Sequence, residues 1–296
     1  MKPKTLLITG GSGYLGQYLT TKAAQNYNLY TAYRSHADNV KAGHPVALDL
    51  TNAAQVQQLI RELRPDAVIH AAAANPGQSN AEMMMRVNTQ GSRYIAQAAA
   101  AVGARLVHVS TDMIFDGKNA PYADDAPASP INDYGRSKAA AETAVLETYP
   151  AAAIARTSLI YGLDEMDRGT ASFVERLERG ETLSLFTDVI RQPVWVESLV
   201  EALLKLVEVE INGRLNVAGR QPLTREEFGR RMLAWWGVEP GDRLELVRAA
   251  DLAPTTPLDL RMSSQKAERL LQMRFPGVDE VLKNHLTFKT SKVTSS

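Results

Sequence analysis

The stretch that decides the reading is TLLITGGSGYLG, residues 5–16. A short apolar run, Leu6-Leu7-Ile8, stops at Gly10-Gly11-Ser12-Gly13, and a helix is expected to begin at Tyr14-Leu15-Gly16. Strand, glycine turn and helix in that order give the glycine spacing its meaning. Glycines let the backbone turn sharply and let a pyrophosphate approach main-chain N–H groups. The helix start adds unpaired amides and the positive end of its dipole. Gly11, Gly13 and Gly16 fit G-x-G-x-x-G, while Gly10, Gly13 and Gly16 fit G-x-x-G-x-x-G. Gly10, Gly11, Ser12, Gly13, Tyr14, Leu15 and Gly16 therefore form the candidate dinucleotide cradle.

Working outward, the pattern predicts a helix over 14–26 and a strand over 29–33. Arg34-Ser35 follows, about twenty residues past the glycines, where an acid usually holds the ribose 2′-hydroxyl of NAD and an arginine accommodates a 2′-phosphate. No acid occurs from 29 to 37, so NADP(H) is favoured and NAD(H) kept as the alternative. A third strand over 45–48 closes on Asp49-Leu50, and Thr51 is expected to cap a helix over 52–63. The run DAVIHAAAA, 66–74, reads as a strand ending in small residues, and Ala71, Ala72 and Ala73 leave room for a cofactor across the sheet edge. His70, inside that run, reads as a core histidine. A long helical stretch over 81–102 ends at Gly103, and a fifth strand covers 105–110. This alternation predicts an α/β fold, a Rossmann doubly wound parallel sheet with helices on both faces.

Composition narrows the function. The chain has 296 residues, with 33 Lys plus Arg against 33 Asp plus Glu and a formal net charge of zero. That balance argues against nucleic acid or an anionic membrane surface as partner. There is no cysteine, which removes disulfides, thiolate catalysis and zinc–thiolate sites; no metal is expected. No signal peptide is apparent, and nothing reaches the roughly 20 apolar residues of a membrane span, so a cytoplasmic protein is expected.

Chemistry is expected after the fifth strand. Ser110-Thr111-Asp112 is followed by the loop 113–131 and then Asn132-Asp133-Tyr134-Gly135-Arg136-Ser137-Lys138. On a helix starting near 133, Tyr134 and Lys138 share one face. A phenol titrates at about 10, and a neighbouring ammonium lowers that value. Tyr134 can then act as a general acid toward a carbonyl oxygen as hydride reaches the carbon, with Thr111 donating a hydrogen bond to the same oxygen.

GGSGYLG, Asp49-Leu50, the HAAAA strand, Val87-Asn88, STDMIFDG at 110–117, YGRSK at 134–138 and RTSLIYG at 156–162 together resemble an extended short-chain dehydrogenase/reductase. Within it the chain is similar to the dTDP-4-dehydrorhamnose reductase group, over residues 4–220. The resemblance implies that Tyr134 is the proton donor, that Lys138 binds the nicotinamide ribose and tunes Tyr134, and that Thr111 assists at the carbonyl. It implies Asp112 beside the substrate, Gly10, Gly13 and Gly16 on the pyrophosphate, Asp49 and Leu50 at the adenine, and Arg191 as a diphosphate contact. Leu159 stands where many such reductases place a tryptophan beside the sugar, and position 34 is basic where some relatives carry an acid. Asp116-Gly117 reads as a turn.

In the second half a sixth strand over 152–155 ends at Arg156-Thr157-Ser158, taken as its functional end, and the alternation then breaks down. A polar loop at 164–169, a helix over 170–179, short strands at 183–186 and 191–195, a helix over 197–207 and a strand over 214–217 are expected. A helix over 224–236 carries a Thr224/Glu227 capping box. A proline-rich connector at 252–257 leads to a short helix near 263–271. Residues 1–157, with 190–218 returning, would form the NADP-binding domain. Residues 158–189 and 219–286 would form a small mixed substrate-binding part, and 287–296 a flexible polar tail. The expected activity is NADPH-dependent reduction of a keto group on a nucleotide sugar, with a homodimer allowed. The alternatives are a sugar-nucleotide epimerase or dehydratase with bound NAD, or a non-catalytic subunit resembling the methionine adenosyltransferase beta subunit.

Overall fold

The computed structural model describes residues 3–252 and 255–293. In chain order the first part runs β1 (Thr5–Thr9), α1 (Tyr14–Ala23), β2 (Asn28–Tyr33), β3 (His44–Ala47), α2 (Ala53–Leu63), β4 (Ala67–His70), α3 (Ala81–Met84), a π-helical segment (Met85–Gln90), α4 (Gly91–Val102), β5 (Arg105–Thr111), α5 (Asp133–Thr148) and β6 (Ala153–Thr157). The second runs β7 (Ile160–Tyr161), α6 (Arg168–Glu178), β8 (Leu183–Phe186), β9 (Ile190–Arg191), β10 (Val194–Trp195), α7 (Val196–Glu208), β11 (Gly213–Val217), β12 (Leu223–Thr224), α8 (Arg225–Trp235), β13 (Leu244–Val247), α9 (Ala249–Leu252), α10 (Gln265–Leu271) and α11 (Val278–Val293).

Seven strands form one parallel sheet in the order β11-β6-β5-β4-β1-β2-β3. Both faces are covered, so the central strands are apolar throughout rather than alternating. Leu6 and Ile8 point to the face packed by α1, α7 and α10, and Leu7 to the face packed by α2, α4 and α5. Ile69 and Val68 divide the same way on β4, as do Val107 and Leu106 on β5. The period-two alternation thus assigns each residue to one of two cores. A smaller lobe holds β8 paired with β13, β9 paired with β12, and two further apolar clusters. No helix among the described residues is long and apolar enough to cross a membrane.

Several expectations shift. The strand read over 66–74 stops at His70, where its pairing with both β1 and β5 ends. The Ala74 backbone is taken up instead by the Asn88 side chain, N–H to Oδ1 at 2.7 Å and C=O from Nδ2 at 3.0 Å. Asn52 rather than Thr51 caps α2, accepting from the Gln55 N–H at 3.1 Å, since Thr51 is bound to the Asp49 carboxylate. The helical stretch 81–102 contains a π-helical turn, which directs Asn88 and Thr89 onto Ser137 of α5. The Gly103 backbone closes it in a left-handed conformation, φ +71°.

The backbone of residues 287–293 continues α11, whose first turns carry the buried Val278 and Val281. Residues 294–296 lie outside the described residues, as do 253 and 254 of the expected connector. The loop read at 164–169 yields to α6 at Arg168, whose first amides are capped by Asp167. The strand Leu244–Val247 escaped notice because it forms only a two-stranded ribbon with β8 and is part-exposed.

Candidate active site

A groove of about 380 Å³ runs along the C-terminal edge of β1, β2 and β4, where open α/β sheets take their ligands. Its wall includes Gly10, Ser12 and Gly13, its floor Ala71, Ala72 and Ala73, and its far end Arg34, Asp49 and Leu50. Gly10 is obligatory: φ is +74° and a Cβ would lie 2.7 Å from the Ala72 backbone. The N-cap of α1 is Gly13, with no side chain capping the helix, so the first amides remain available to an anion. The donor set and the concavity fit a dinucleotide.

Four of the cradle residues do other work. Gly16 lets α1 close on the turn, since a Cβ there would meet the Gly10 carbonyl at 2.1 Å. Gly11 packs against Thr31, and Leu15 is in the core. The Tyr14 hydroxyl donates to the Glu165 carbonyl at 3.1 Å, tying the turn to the smaller lobe. Sequence reasoning missed His36 beside Arg34, and Arg168 from α6, which crosses the groove to donate to the Gln78 side-chain oxygen at 3.2 Å. Arg168 carried no signal, because only the tertiary fold brings it to Gln78, 90 positions earlier in the chain.

β5 and α5 assemble the second part of the site. Asn132 caps α5 by accepting from the Gly135 N–H at 2.8 Å. Gly135 lets the helix start press on the turn after β5; a Cβ would come 2.2 Å from the Met113 carbonyl. Tyr134 is thereby set near Thr111, whose side chain acts on the phenol. Burial and the Asp112 carboxylate push the Tyr134 phenol up to about 12, against the opposing pull of Arg191 and Thr111. The phenol is neutral, the form of a general acid. Burial brings the Lys138 ammonium down to about 8, offset in part by Glu142. Lys138 donates to the Val109 carbonyl at 2.7 Å and lies 3.4 Å from His108 Nε2. The ammonium is anchored to the strand, and the charges that shift Tyr134 are Asp112 and Arg191 rather than Lys138.

Asp112 and Arg191 stand differently from expectation. Asp112 is fully buried, and its carboxylate accepts from Ser158 Oγ at 2.6 Å, from Arg191 Nε at 2.8 Å and from Arg191 Nη2. That carboxylate holds the Arg191 fork. Leu159 packs beside the apolar cluster of Tyr161, Leu223 and Phe228. Arg156, read as the functional end of β6, is 1% exposed and instead binds Glu142 of α5, Nε to Oε1 at 2.9 Å and Nη2 to Oε2 at 2.8 Å. Glu142 also accepts from Ser110 at 2.7 Å and from Arg214 at 3.0 Å.

His70 is a saturated core histidine, Nδ1 to Thr9 Oγ1 at 2.6 Å and Nε2 to Ser92 Oγ at 2.9 Å, and burial depresses it to about 3. Asp116 and Gly117 form a turn, closed by Lys118 N–H and the Tyr122 hydroxyl on the Asp116 carboxylate. Among the described residues no group of three or more His, Cys, Asp or Glu side chains is placed to hold a metal ion.

The chain is similar to known proteins. A dTDP-4-dehydrorhamnose reductase of Mycobacterium tuberculosis is 32% identical over 266 residues, covering 86% of this chain and 83% of that protein. Methionine adenosyltransferase 2 subunit beta of Xenopus tropicalis is 30% identical over 235 residues, 75% of this chain and 69% of its own. The crystal structure of dTDP-4-dehydrorhamnose reductase from Bacillus anthracis in complex with NADP superposes with a TM-score of 0.82 at 27% identity, covering 96% and 98% of the two chains. Residues 4–289 match the family described as the RmlD substrate binding domain, and the chain belongs to that family.

Proposed function

We propose that the protein is an NADPH-dependent reductase of a nucleotide sugar bearing a 4-keto-6-deoxy ring, of the dTDP-4-dehydrorhamnose type. The observation that carries this is the neutral Tyr134 phenol near Thr111, at the end of β5 on the sheet edge that bears the groove. Gly10, Ser12 and Gly13 would hold the diphosphate of the cofactor, Arg34 its 2′-phosphate, and Ala71, Ala72 and Ala73 its underside. NADPH bound there supplies the hydride that adds to the carbonyl carbon. Tyr134 orients the carbonyl oxygen together with Thr111. As the C=O electron pair moves onto that oxygen, Tyr134 gives up its phenolic proton to form the alcohol. Lys138, its ammonium held on the Val109 carbonyl, would hold the nicotinamide ribose. Asp112 and Arg191 fix the Thr111 turn.

Incubation with NADPH and dTDP-4-dehydrorhamnose, followed by the loss of NADPH absorbance and product analysis, tests the proposal. Turnover is expected. No oxidation with that substrate or with other 4-keto sugar nucleotides, in protein that binds NADPH, refutes it. The likeness to methionine adenosyltransferase 2 subunit beta favours a second reading, a non-catalytic cofactor-binding subunit; it predicts NADPH binding with no turnover at all.

A further inference from the structure

Arg225 opens α8, directly after β12. β12 pairs antiparallel with β9, Leu223 opposite Arg191, and the Arg225 N–H donates to the Val189 carbonyl at 2.9 Å. This pairing sets Arg225 beside the strand that holds Arg191 on Asp112. Arg225 is part-buried, and among the described residues its guanidinium has neither a hydrogen bond nor an ion pair.

The neighbouring acids are all committed. Asp112 is saturated by Arg191 and Ser158. Asp167 caps α6, accepting from the Gly169 and Thr170 amides at 2.9 and 3.2 Å. Glu226 binds Arg230 at 2.6 Å, and Glu227 accepts from the Thr224 N–H at 2.8 Å in the capping box. Burial first and then the Arg191 charge lower Arg225 to about 10, so it carries a full charge at neutral pH. Two arginines therefore face one internally neutralised carboxylate, and a part-buried cation without a partner is costly until an anion reaches it. Its position at the positive end of α8 adds to the attraction for an anion.

We propose that Arg225 binds the diphosphate of the nucleotide-sugar substrate, a role that Arg191, fixed on Asp112, does not fill. The assignment rests on the reductase reading above and on the shape of its substrate. In a pyranose the 4-keto carbon lies across the ring from the anomeric carbon. A substrate seated with its carbonyl at Tyr134 therefore directs its diphosphate away from Tyr134, toward the smaller lobe. A planar guanidinium recognises such oxygens through paired N–H donors that a lysine ammonium cannot match.

The test is calorimetric titration of dTDP, and separately of thymidine, into wild type, Arg225→Met and Arg225→Lys, each saturated with NADP. The expected result is a dTDP Kd raised by about 10- to 100-fold in Arg225→Met and by about 3- to 10-fold in Arg225→Lys. Thymidine and NADPH affinities should be unchanged, and KM for the keto-sugar nucleotide should rise by the same factor at nearly constant kcat. A dTDP affinity in Arg225→Met within about twofold of wild type overturns the assignment. So does an equal loss for thymidine, or a wild type that binds no nucleoside diphosphate. If Arg225→Met fails to bind NADPH and so is misfolded, the Arg225→Lys titration decides, and an unchanged Kd there overturns the proposal. A wild type that binds dTDP but reduces no keto sugar sinks the reductase reading alone.

Discussion

Glu142→Ala is the perturbation for which the structure fixes the largest consequence. Glu142 sits on α5 four residues after Lys138, 1% exposed, and holds Ser110, Arg156 and Arg214 together. Without it, the 1% exposed Arg156 keeps only the backbone carbonyls of Asp124 and Ala126, at 2.9 and 3.5 Å. Breaking a buried pair from one side costs about 3–5 kcal/mol. The Arg214 bond adds little, since that side chain is 37% exposed and solvent screens it. The expected destabilisation is about 4 kcal/mol, which lowers Tm by roughly 8–16 °C in a chain of this size. Urea unfolding followed by circular dichroism, with calorimetry beside it, measures both. Replacing the pair together, Glu142→Leu with Arg156→Met, should recover most of the loss, because the cost is that of an orphaned charge. A loss below about 1 kcal/mol in the single variant, or a double variant no more stable than the single, refutes the reasoning. Glu142 also raises Lys138, so the surviving activity of Glu142→Ala should fall at lower pH than in wild type.

Tyr134→Phe should lower kcat/KM by about 10²- to 10⁴-fold while NADPH titration gives a nearly unchanged Kd; full activity would remove Tyr134 from its role. Arg34→Ala should weaken NADPH by about tenfold or more and leave NADH unaffected, whereas Arg168→Ala, at the crossing of the groove, should weaken both alike. In a pH profile, kcat/KM should decline as pH rises through about 8, where the Lys138 ammonium loses its proton; the protonated form, present at lower pH, is the one that keeps donors for the cofactor ribose beyond the Val109 carbonyl. Lys138→Met should erase that alkaline limb, and a limb that persists would belong to another group.

The sheet was legible because its signals are local. Leu6-Leu7-Ile8 before the glycines, the small residues after His70 and the repeated strand–helix alternation each follow from neighbours within a few positions. Tyr134 and Lys138 were legible for the same reason, as one helix face. What stayed hidden is set by contacts remote in sequence. Asp112 and Arg191 are 79 positions apart and Arg168 and Gln78 are 90 apart, so no spacing announces either pair. Arg156 was misread because a charged residue at a strand end looks the same whether it meets solvent or a buried Glu142. Boundaries slipped where a side chain, such as Asn88 on Ala74 or Asp49 on Thr51, replaced the main-chain partner that propensity assumes.

The edge strand β11 also determines how the polypeptide must be made. It pairs with β6 from Gly213↔Ala153 to Val217↔Thr157, yet the chain reaches it only after passing through β7, α6, β8, β9, β10 and α7. The face it completes is closed later still, by Ala267, Leu271 and Phe275. A nascent chain leaving the ribosome therefore holds β6 as an open edge until β11 emerges, and one core half-covered until Phe275 follows. The groove is lined by residues from Thr9 to Val87 together with Arg168, whereas the segments that complete the core beneath it come later in the chain. Premature termination anywhere before Phe275 should yield aggregating protein rather than a shorter cofactor-binding fragment, as fractionation of stop-codon variants would show.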